Sequence, residues 1–396
     1  MGLESKIDIY LQALVSGSKK IHTLRPPQVG YLRQTPHGEL WIVDWTYSCG
    51  HRHGGHPLEK CEKIHPILDF KLADFNPGLA TVIDTETTGL AGGTGTYAFI
   101  IGVGYWHDHD FTVRQYMMRD FNEEPAQLYA FAEDFTGSII TFNGKCFDLP
   151  LIANRYRLHR FESPFGNAAH LDMLFPCRRI WKRHLSSFKL AALEREILGF
   201  ARVDDIPANL IPALFFDYLQ NRDEKSLYPI LHHNRDDIIS LYQLTAVASQ
   251  ILERACENGT NDDDLLLSLA EIYYGYRSYE RALSLLQKVN VQFANKPTVR
   301  RAAHLQAIAL KRLGFWDKAI HAFLAAHEID REVESLIESA KLLEHKKKDP
   351  RQALQMVHKA ENLIEFESFG ENAPSALIAE LTHRKRRLLK KISKSI

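Results

Sequence analysis

Two acidic residues that alternate along a short β-branched run are the side chains of this sequence best suited to do chemistry. The stretch from Thr81 to Thr96 opens on Thr81-Val82-Ile83 and then places Asp84 and Glu86 two positions apart. Alternate residues of a strand project from the same face, so the two carboxylates lie side by side. Like charges this close raise each other's pKa unless a divalent cation makes them ligands. The pattern therefore predicts a metal centre.

Two more acids are placed where they can join the first pair. Asp148 stands at the start of a predicted helix that follows a short strand, and Asp237 lies on a long helix further along the chain. Together the predicted metal ligands are Asp84, Glu86, Asp148 and Asp237. An all-oxygen set suits hard cations, so we expect two ions, Mg²⁺ or Mn²⁺. Two such ions about 4 Å apart activate a water and stabilise the leaving 3′ oxygen of a phosphodiester.

A general base is needed to take the proton from the attacking water. His233 lies four residues before Asp237, one turn back on the same helical face, and His232 lies five residues before it. We favour His233, with His232 as the alternative. Asp236 is an alternative ligand, but Asp237 directly precedes the apolar run that sets the helix face toward the sheet.

Other residues of these stretches are predicted to contact a polyanionic substrate. The Gly-rich loop allows close approach of the backbone, and because no Lys-Ser or Lys-Thr follows it, a P-loop is excluded. Basic residues recur along the helix after residue 177 and would follow a phosphate backbone. The predicted substrate-binding residues are Thr87, Gly92, Gly93, Asn143, Lys145, Arg178 and Arg179. Asn143 and Lys145 also fit a turn and a solvated side chain. Phe142 and Phe147 are predicted to be core residues, although either could stack on a base.

The elements that must position these residues form an α/β unit at residues 79–257. Three early strands joined by hairpins, followed by alternating helix and strand, predict a mixed five-stranded sheet flanked by helices. His170 and Asp172, on a further apolar strand, are expected to form a hydrogen-bonded pair. Residues 1–78 are predicted to be an accessory segment, in which Cys49, His51, His53, His56 and Cys61 fit zinc less well than a packed loop.

Residues 262–396 have helical composition throughout. Ala270 and Ala282 recur as Ala307 and Ala319, a shift of 37 residues, and again about 34 residues later. This degenerate period resembles tetratricopeptide repeats, which would recruit a protein partner; an irregular helical bundle is the alternative. The basic stretch from His383 has no compensating acids nearby in sequence, so nucleic acid or an acidic partner is a candidate ligand.

Composition adds weaker expectations about location. The 396 residues have a formal net charge of zero, so overall charge does not indicate a partner. The five cysteines are scattered and odd in number, which favours a reducing cytoplasm over a disulfide framework. Because no apolar run reaches the length of a membrane span, we expect no membrane association.

Several of these motifs together resemble a known family. DTETTGL, TFNGKCFDLPL and HNRDDIISL are similar to motifs of the DEDD exonucleases of the ribonuclease H-like superfamily. With HLDML and DDIP they resemble more closely its YprB-type branch, an exonuclease domain followed by tetratricopeptide repeats. The resemblance implies a ribonuclease H-like fold, the same four metal ligands, and 3′–5′ hydrolysis of DNA or RNA. In that group a histidine base stands five residues before the last acid, and in another branch a tyrosine stands four residues before it. Here both positions hold histidine, so the resemblance leaves the base open between His232 and His233.

A protein of another class fits the same sequence. A scaffold could keep the fold, bind nucleic acid or protein, and no longer cleave, because a fold does not by itself carry activity. The complete set of four acids favours the enzyme. Uptake of Mn²⁺ would discriminate between the two, because a scaffold without a working centre should bind no ion.

Overall fold

The computed structural model describes residues 27–70, 75–89, 95–257, 259–290, 296–367 and 375–394. Gly92 and Gly93, two of the predicted substrate-binding residues, lie outside these ranges. Within them, a mixed sheet with flanking helices is followed by an all-helical part. No helix in the described part of the chain is both long and apolar enough to cross a membrane.

The sheet has seven strands in the order β1-β2-β7-β6-β5-β8-β9. They are β1 (Tyr31–Thr35), β2 (Gly38–Ser48), β5 (Thr81–Thr87), β6 (Ala98–His107), β7 (Asp110–Met117), β8 (Ile139–Thr141) and β9 (His170–Asp172). A small separate hairpin contains β3 (Arg52–His53) and β4 (His56–Pro57). Strands β5, β8 and β9 pair in parallel, and the other pairs in the large sheet are antiparallel. The predicted mixed sheet is therefore confirmed.

The strand count is larger than the five predicted, because residues before position 78 extend the sheet. Strand β2 pairs with β7 from Trp41 opposite Met117 to Ser48 opposite Asp110, and β1 pairs with β2. Trp41 and Val43 are completely buried or nearly so. The prediction missed these strands because their aromatic residues are mixed with turn residues, which hides the period of two.

Helices cover the sheet and carry much of the site. They are α1 (Glu124–Asp134), α2 (Asp148–Leu158), α3 (Leu174–Trp181), α4 (Leu190–Leu193), α5 (Ile211–Asn221) and α6 (Tyr228–Glu257). A π-helical segment, Glu194–Leu198, follows α4. Helix α6 is 30 residues long and packs against β5, β6 and β7. The glycines of β6 permit this approach, because a Cβ on Gly102 would lie 2.1 Å from Asn234 Oδ1 and one on Gly104 2.4 Å from Ile238 Cγ2.

The C-terminal part consists of helix pairs and a last helix. The helices are α7 (Asp263–Gly275), α8 (Tyr279–Leu286), α9 (Lys296–Arg312), α10 (Trp316–Asp330), α11 (Val333–Leu342), α12 (Pro350–Glu367) and α13 (Ser375–Ser393). The turns inside the pairs each contain a residue with positive φ, namely Arg277, Gly314 and Lys348.

The small residues of the predicted repeat are all buried within the paired helices. Ala282, Ala319 and Ala353 are completely buried, as are Ala270, Ala307 and Ala340. A larger side chain at these positions would hold the two helices of a pair apart. The helical-repeat architecture is thus confirmed.

The two parts share one hydrophobic core. The cluster that contains Val82 of β5 and Ile238 of α6 continues through Leu252 to Leu266 and Leu305 of the helical part. Beside it, Glu271 of α7 forms ion pairs with Lys182, Arg183 and Arg301.

This contact changes the interpretation of the basic strip after residue 177. Lys182 and Arg183 pair with Glu271, and Arg179 donates to the carbonyl oxygen of Leu68 and to the Tyr276 hydroxyl, both at 3.2 Å. These side chains fasten the α/β part to the first repeat helix instead of lying free to follow a phosphate backbone.

The expectation of an uncompensated basic C-terminus is also wrong. Glu344, whose side chain is completely buried, pairs with Arg384, Arg387 and Lys391 of α13. Burial opposes its ionisation, but hydrogen bonds from Arg387 and Lys391 outweigh burial and lower the pKa of Glu344 to about 2. The acids that neutralise this helix come from α12 and from the segment after α11, so they are distant in sequence.

Candidate metal centre

Strand β5 presents Asp84 and Glu86 toward α6 at the middle of the sheet. They pair with Gly102 and Ile100 of β6, and the register shifts immediately after Glu86. Glu86 is only 8% exposed. Because the two residues alternate, their carboxylates project from one face, as the sequence predicted.

Asp148 stands at the first position of α2 and faces β5. Its Oδ1 accepts hydrogen bonds from the Thr85 backbone nitrogen at 3.1 Å and from Thr85 Oγ1 at 2.5 Å. Thr85, between the two acids of β5, thereby fixes the third acid beside them.

Helix α6 supplies the remaining groups. Glu86, His233 and Asp237 each offer a ligand atom, and these three atoms lie within 4.8 Å of one another. His233 and Asp237 are one helical turn apart, with His233 Nε2 3.5 Å from Asp237 Oδ2. This spacing is compatible with one cation bound by two carboxylates and an imidazole.

Asn234, on the same helix, orients Asp84. Its Nδ2 donates to Asp84 Oδ2 at 2.8 Å, and its Oδ1 accepts from Gln115 Nε2 at 2.9 Å. Gln115 Nε2 also donates to the carbonyl oxygen of Leu231, and both amides are buried. A chain of buried amides thus holds the Asp84 carboxylate in one rotamer.

Burial and mutual repulsion make the ionised form of these clustered acids unfavourable. Burial raises the pKa of Asp84 and of Glu86 well above the ordinary range, and the charges of Asp237 and Asp148 raise both further. Burial also raises the pKa of Asp148 to about 6, although hydrogen bonds from Thr85 oppose the shift. A divalent cation would relieve the repulsion among these clustered carboxylates, and a set of carboxylate oxygens suits Mg²⁺ or Mn²⁺.

An arginine from the loop after the π-helical segment enters this centre. Arg202 forms ion pairs with Asp237 and with Glu194, and its Nη1 lies 3.2 Å from His233 Nδ1. Burial alone would lower the pKa of Arg202, but Glu194 and Asp237 outweigh burial and raise it. Asp205 of the same loop lies 2.7 Å from His233 Nδ1 through its Oδ1.

The two alternatives left open by the sequence occupy different surroundings. His232 is exposed and its ring meets the Trp45 indole edge to face at 5.4 Å. Asp236 pairs with Arg235 at 2.7 Å. His233 and Asp237 are therefore the members of each pair that lie with Glu86.

Asp172 organises the loop that leads into Asp148. Its carboxylate accepts hydrogen bonds from the backbone nitrogens of Asn143 at 2.8 Å and Lys145 at 3.0 Å. Asn143 has a φ of 66°, the turn conformation that asparagine tolerates. His170 bonds instead to Thr141 at 2.8 Å, so the predicted pairing of His170 with Asp172 is wrong.

This loop presents its side chains to solvent. Lys145 is exposed, and Phe147, which was predicted to be a core residue, is 57% exposed beside Asp148. Phe142 is partly buried and packs against the main core. Thr87, on the end of β5, uses its hydroxyl to donate to the carbonyl oxygen of Gly89 at 3.0 Å. Arg178 is exposed on α3.

The cysteines and histidines near the N-terminus serve packing. His53 lies 2.7 Å from Ser240 Oγ and stacks on Phe200, and Cys61 Sγ donates to the carbonyl oxygen of Lys63. Within the described ranges, Glu86, His233 and Asp237 are the group of three or more such side chains close enough to share a cation. All five cysteines are free.

One family model matches the part of the chain that contains this centre. Residues 81–249 match the family model described as the RNase_H superfamily. This part of the chain is a ribonuclease H superfamily domain. The match covers β5 to β9 and most of α6, so the ribonuclease H domain contains all the predicted metal ligands and both histidines.

Similarity to one protein extends beyond the ribonuclease H domain. The chain is 27% identical over 363 residues to an uncharacterized protein, YprB, of Bacillus subtilis (strain 168), which covers 87% of this chain and 86% of that protein. Among solved structures, a crystal structure of the APC/C hetero-tetramer Cut9-Hcn1 is 12% identical, with a TM-score of 0.27. That overlap covers 68% of this chain and 47% of the other.

The residues that sequence reasoning missed are those that position the ligands. Asn234 belongs to the HN motif, and its place one turn from Ile238 on the sheet-facing side was a usable signal. Thr85 lies inside the DTET motif. Arg202 and Glu194 reach the ribonuclease H centre from a loop and a π-helical segment, for which no spacing in the sequence gives a signal.

Proposed function

We propose that this protein is a metal-dependent nuclease that removes nucleotides from the 3′ end of a single strand of DNA or RNA. The observation that carries the proposal is the gathering of Glu86, His233 and Asp237 within 4.8 Å in a ribonuclease H superfamily domain. Asp84 and Asp148 join Glu86 and Asp237 in the proposed ligand set for two ions, Mg²⁺ or Mn²⁺, and His233 is not one of these ligands. When bound, such ions polarise the scissile phosphate and lower the pKa of the attacking water.

His233 is the proposed general base. Asp205 lies closer to His233 Nδ1 than Arg202 does, which favours a proton on Nδ1 that is donated to Asp205. That tautomer leaves the lone pair of Nε2 directed toward Asp237 and the centre of the acids. Nε2 can then accept a proton, and Asp205 holds the ring in the orientation required.

The loop before Asp148 is the proposed contact for the last nucleotides. Lys145 offers a positive charge to a phosphate, and the exposed ring of Phe147 offers a face for a base. Asp172 holds this loop through two backbone hydrogen bonds, so both side chains start from a fixed backbone. Asn143 and Thr87 remain proposed contacts with the substrate.

The remaining proposals concern the setting of the enzyme. The surface of the helical repeats is proposed to recruit a protein partner, since stacked helix pairs provide extended surfaces. The free cysteines support a reducing compartment, and we propose the cytoplasm.

The nuclease proposal is tested by matched substitutions on one helix. Asp237→Asn removes a proposed ligand, whereas Asp236→Asn removes an acid one position away that pairs with Arg235. Strands labelled at the 5′ or the 3′ end are incubated with Mg²⁺, Mn²⁺ or a chelator. We expect a ladder of products shortened from the 3′ end, a loss of rate of at least about a hundredfold in Asp237→Asn, and a much smaller loss in Asp236→Asn.

The same experiment distinguishes the scaffold. Equal digestion by the wild type and by Asp237→Asn would remove this centre as the cause of cleavage. If no variant cleaves and calorimetry detects no Mn²⁺ uptake by the wild type, the inactive scaffold becomes the better description.

A further inference from the structure

Arg202 lies against Asp237, one of the proposed metal ligands. Its side chain is only 9% exposed, and its guanidinium pairs with both oxygens of Glu194, at 2.5 and 2.8 Å. The same guanidinium contacts Asp237 Oδ1 and lies 3.4 Å from Asp205 Oδ2. One positive group therefore bridges a proposed metal ligand and a carboxylate that belongs to no ligand set.

The contact with Asp237 places a positive charge directly beside an oxygen that would bind a metal. Arg202 occupies Oδ1, and His233 Nε2 faces Oδ2 at 3.5 Å. A divalent cation bound by Glu86 and Asp237 would lie close to the guanidinium, and the two positive charges would repel each other. Arg202 and the cation cannot both have their full interaction with Asp237.

Glu194 provides Arg202 with a second partner of the right geometry. Its side chain is 1% exposed, and its two oxygens form a bidentate ion pair with the guanidinium, the geometry that arginine prefers. If Arg202 leaves Asp237, its charge is still paired and stays near the centre. The π-helical segment that carries Glu194 thus holds the arginine beside the acids in either state.

We propose that Arg202 competes with a divalent cation for Asp237, so that the arginine is an internal counter-ion that the metal displaces toward Glu194. This inference rests on the proposed metal site and adds to it a residue that sets the metal affinity. Without metal, the arginine offsets part of the repulsion among the buried acids. With metal, the ion assumes that role, and a higher ion concentration is needed than Asp237 alone would require.

The test is calorimetric titration with Mn²⁺ alone, without nucleic acid. Glu194→Gln removes the second partner, so Arg202 should hold Asp237 more firmly and the dissociation constant for Mn²⁺ should rise about tenfold. Adding Arg202→Gln to that variant removes the competitor, and the dissociation constant should fall at least about tenfold relative to Glu194→Gln. Circular dichroism checks that each variant is folded.

Asp236→Asn is the matched control, because it also removes one negative charge near the centre but does not contact Arg202. It should weaken Mn²⁺ binding less than Glu194→Gln does. The proposal is overturned if the double variant binds Mn²⁺ no more tightly than Glu194→Gln. If the double variant does not fold, equal affinities of Glu194→Gln and Asp236→Asn overturn it. Failure of the proposed function has a different signature, which is no Mn²⁺ uptake in the wild type or the double variant.

Discussion

At the scale of single residues, Asn234 has no chemistry of its own and yet sets the position of a reactive group. It lies fully buried between Gln115 and Asp84, and it connects α6 to β5 through a hydrogen bond of 2.8 Å and to β7 through one of 2.9 Å. A carboxylate with several rotamers would bind a cation weakly, because the cation would have to order it first. Because the Asn234 amide already holds Asp84 in one rotamer, a cation does not have to order this carboxylate when it binds.

Replacement of Asn234 by Leu should therefore affect both metal binding and stability. Leu has a similar size but cannot donate to Asp84 or accept from Gln115, so we expect Mn²⁺ affinity to fall about tenfold or more. Gln115 would keep its bonds to Leu231 and Trp45 but lose one acceptor, and the lost buried hydrogen bonds should reduce the free energy of unfolding by about 2 kcal/mol. Calorimetry and urea denaturation measure the two effects.

Asn221 supplies the comparison for this prediction. It is exposed and donates to Asp217 on the same helix. Asn221→Leu should leave Mn²⁺ affinity unchanged and alter stability by less than about 0.5 kcal/mol. An Asn234→Leu protein with wild-type affinity for Mn²⁺ would show that Asp84 does not depend on this amide.

Residue types and spacing within short motifs were sufficient to predict which acids lie close together. Asp84 and Glu86 could be placed on one face from their spacing alone, and His233 and Asp237 from one helical turn. The structure was required to show which of His232 and His233 lies beside Glu86, since this depends on how α6 is rotated about its axis. Arg202 could not be predicted, because it lies in a loop without a regular period. Its partners Glu194 and Asp237 are 8 and 35 residues away in the sequence.

At the scale of elements, the contact between α6 and β6 determines whether the two halves of the centre meet. Gly102 and Gly104 have no side chains at the point where α6 packs on β6. Asn234 and Ile238 of the helix can therefore approach the backbone of the strand. The separation of the helix from β5, and with it the distance between Asp237 and Glu86, depends on this close packing.

Gly102→Ala should push α6 away from the sheet. The added methyl group would lie 2.1 Å from Asn234 Oδ1, so the helix or the strand must shift. We expect a loss of about 2 to 3 kcal/mol in the free energy of unfolding and weaker Mn²⁺ binding, because the ligands from β5 and α6 separate. Urea denaturation and calorimetry again provide the measurements.

The matched control is Gly275→Ala, near the end of α7, where an added Cβ would meet nothing within 4 Å. This variant should be as stable as the wild type or slightly more stable, since alanine favours a helix. If both substitutions have the same effect on Mn²⁺ binding, close packing of α6 on β6 is not what sets the site.

The elements with a strong period were predictable, and those with mixed composition were not. Strands β5 to β9 and the repeat turns at Arg277, Gly314 and Lys348 follow the periods of the sequence. Strand β2 was missed because its place in the sheet is decided by pairing with β7, which lies about 70 residues away at Trp45 and Gln115, and β1 joins the sheet through β2. Such pairing depends on tertiary contacts that a local pattern does not contain.

At the scale of the whole molecule, Glu271 connects the ribonuclease H domain to the repeats. Burial opposes its ionisation, but hydrogen bonds from Lys182 and Arg301 and the charge of Arg183 lower its pKa to about 2. Basic residues that seemed suited to nucleic acid are thereby used to fix one part of the molecule on the other. The free energy of this contact depends on pH through Glu271.

The pKa of Glu271 predicts the direction of that dependence. A carboxyl with a pKa lower in the folded state than its ordinary 4.5 contributes stability that is complete above pH 4.5 and is lost as the pH falls toward 2. At pH 7, Glu271→Gln should therefore reduce the free energy of unfolding by at most about 3 kcal/mol. The difference from the wild type should shrink as the pH is lowered.

Thermal unfolding at several pH values between 7 and 3 measures this effect. Glu280→Gln, which alters an exposed glutamate of the same repeat, is the control and should shift the curve little at any pH. A Glu271→Gln protein that differs from the wild type by the same amount at all pH values would contradict the assignment.

The 30-residue helix α6 has a mechanical consequence. Its first turns carry His233 and Asp237, and its last turns, around Leu252 and Ala255, lie in the same core as Leu266 of the first repeat. A stiff rod anchored at both ends transmits tilt from one end to the other. A force that bends the repeat array would therefore alter the spacing of the acids at the opposite end, so that mechanical load on the repeats changes the proposed metal centre without any ligand bound there.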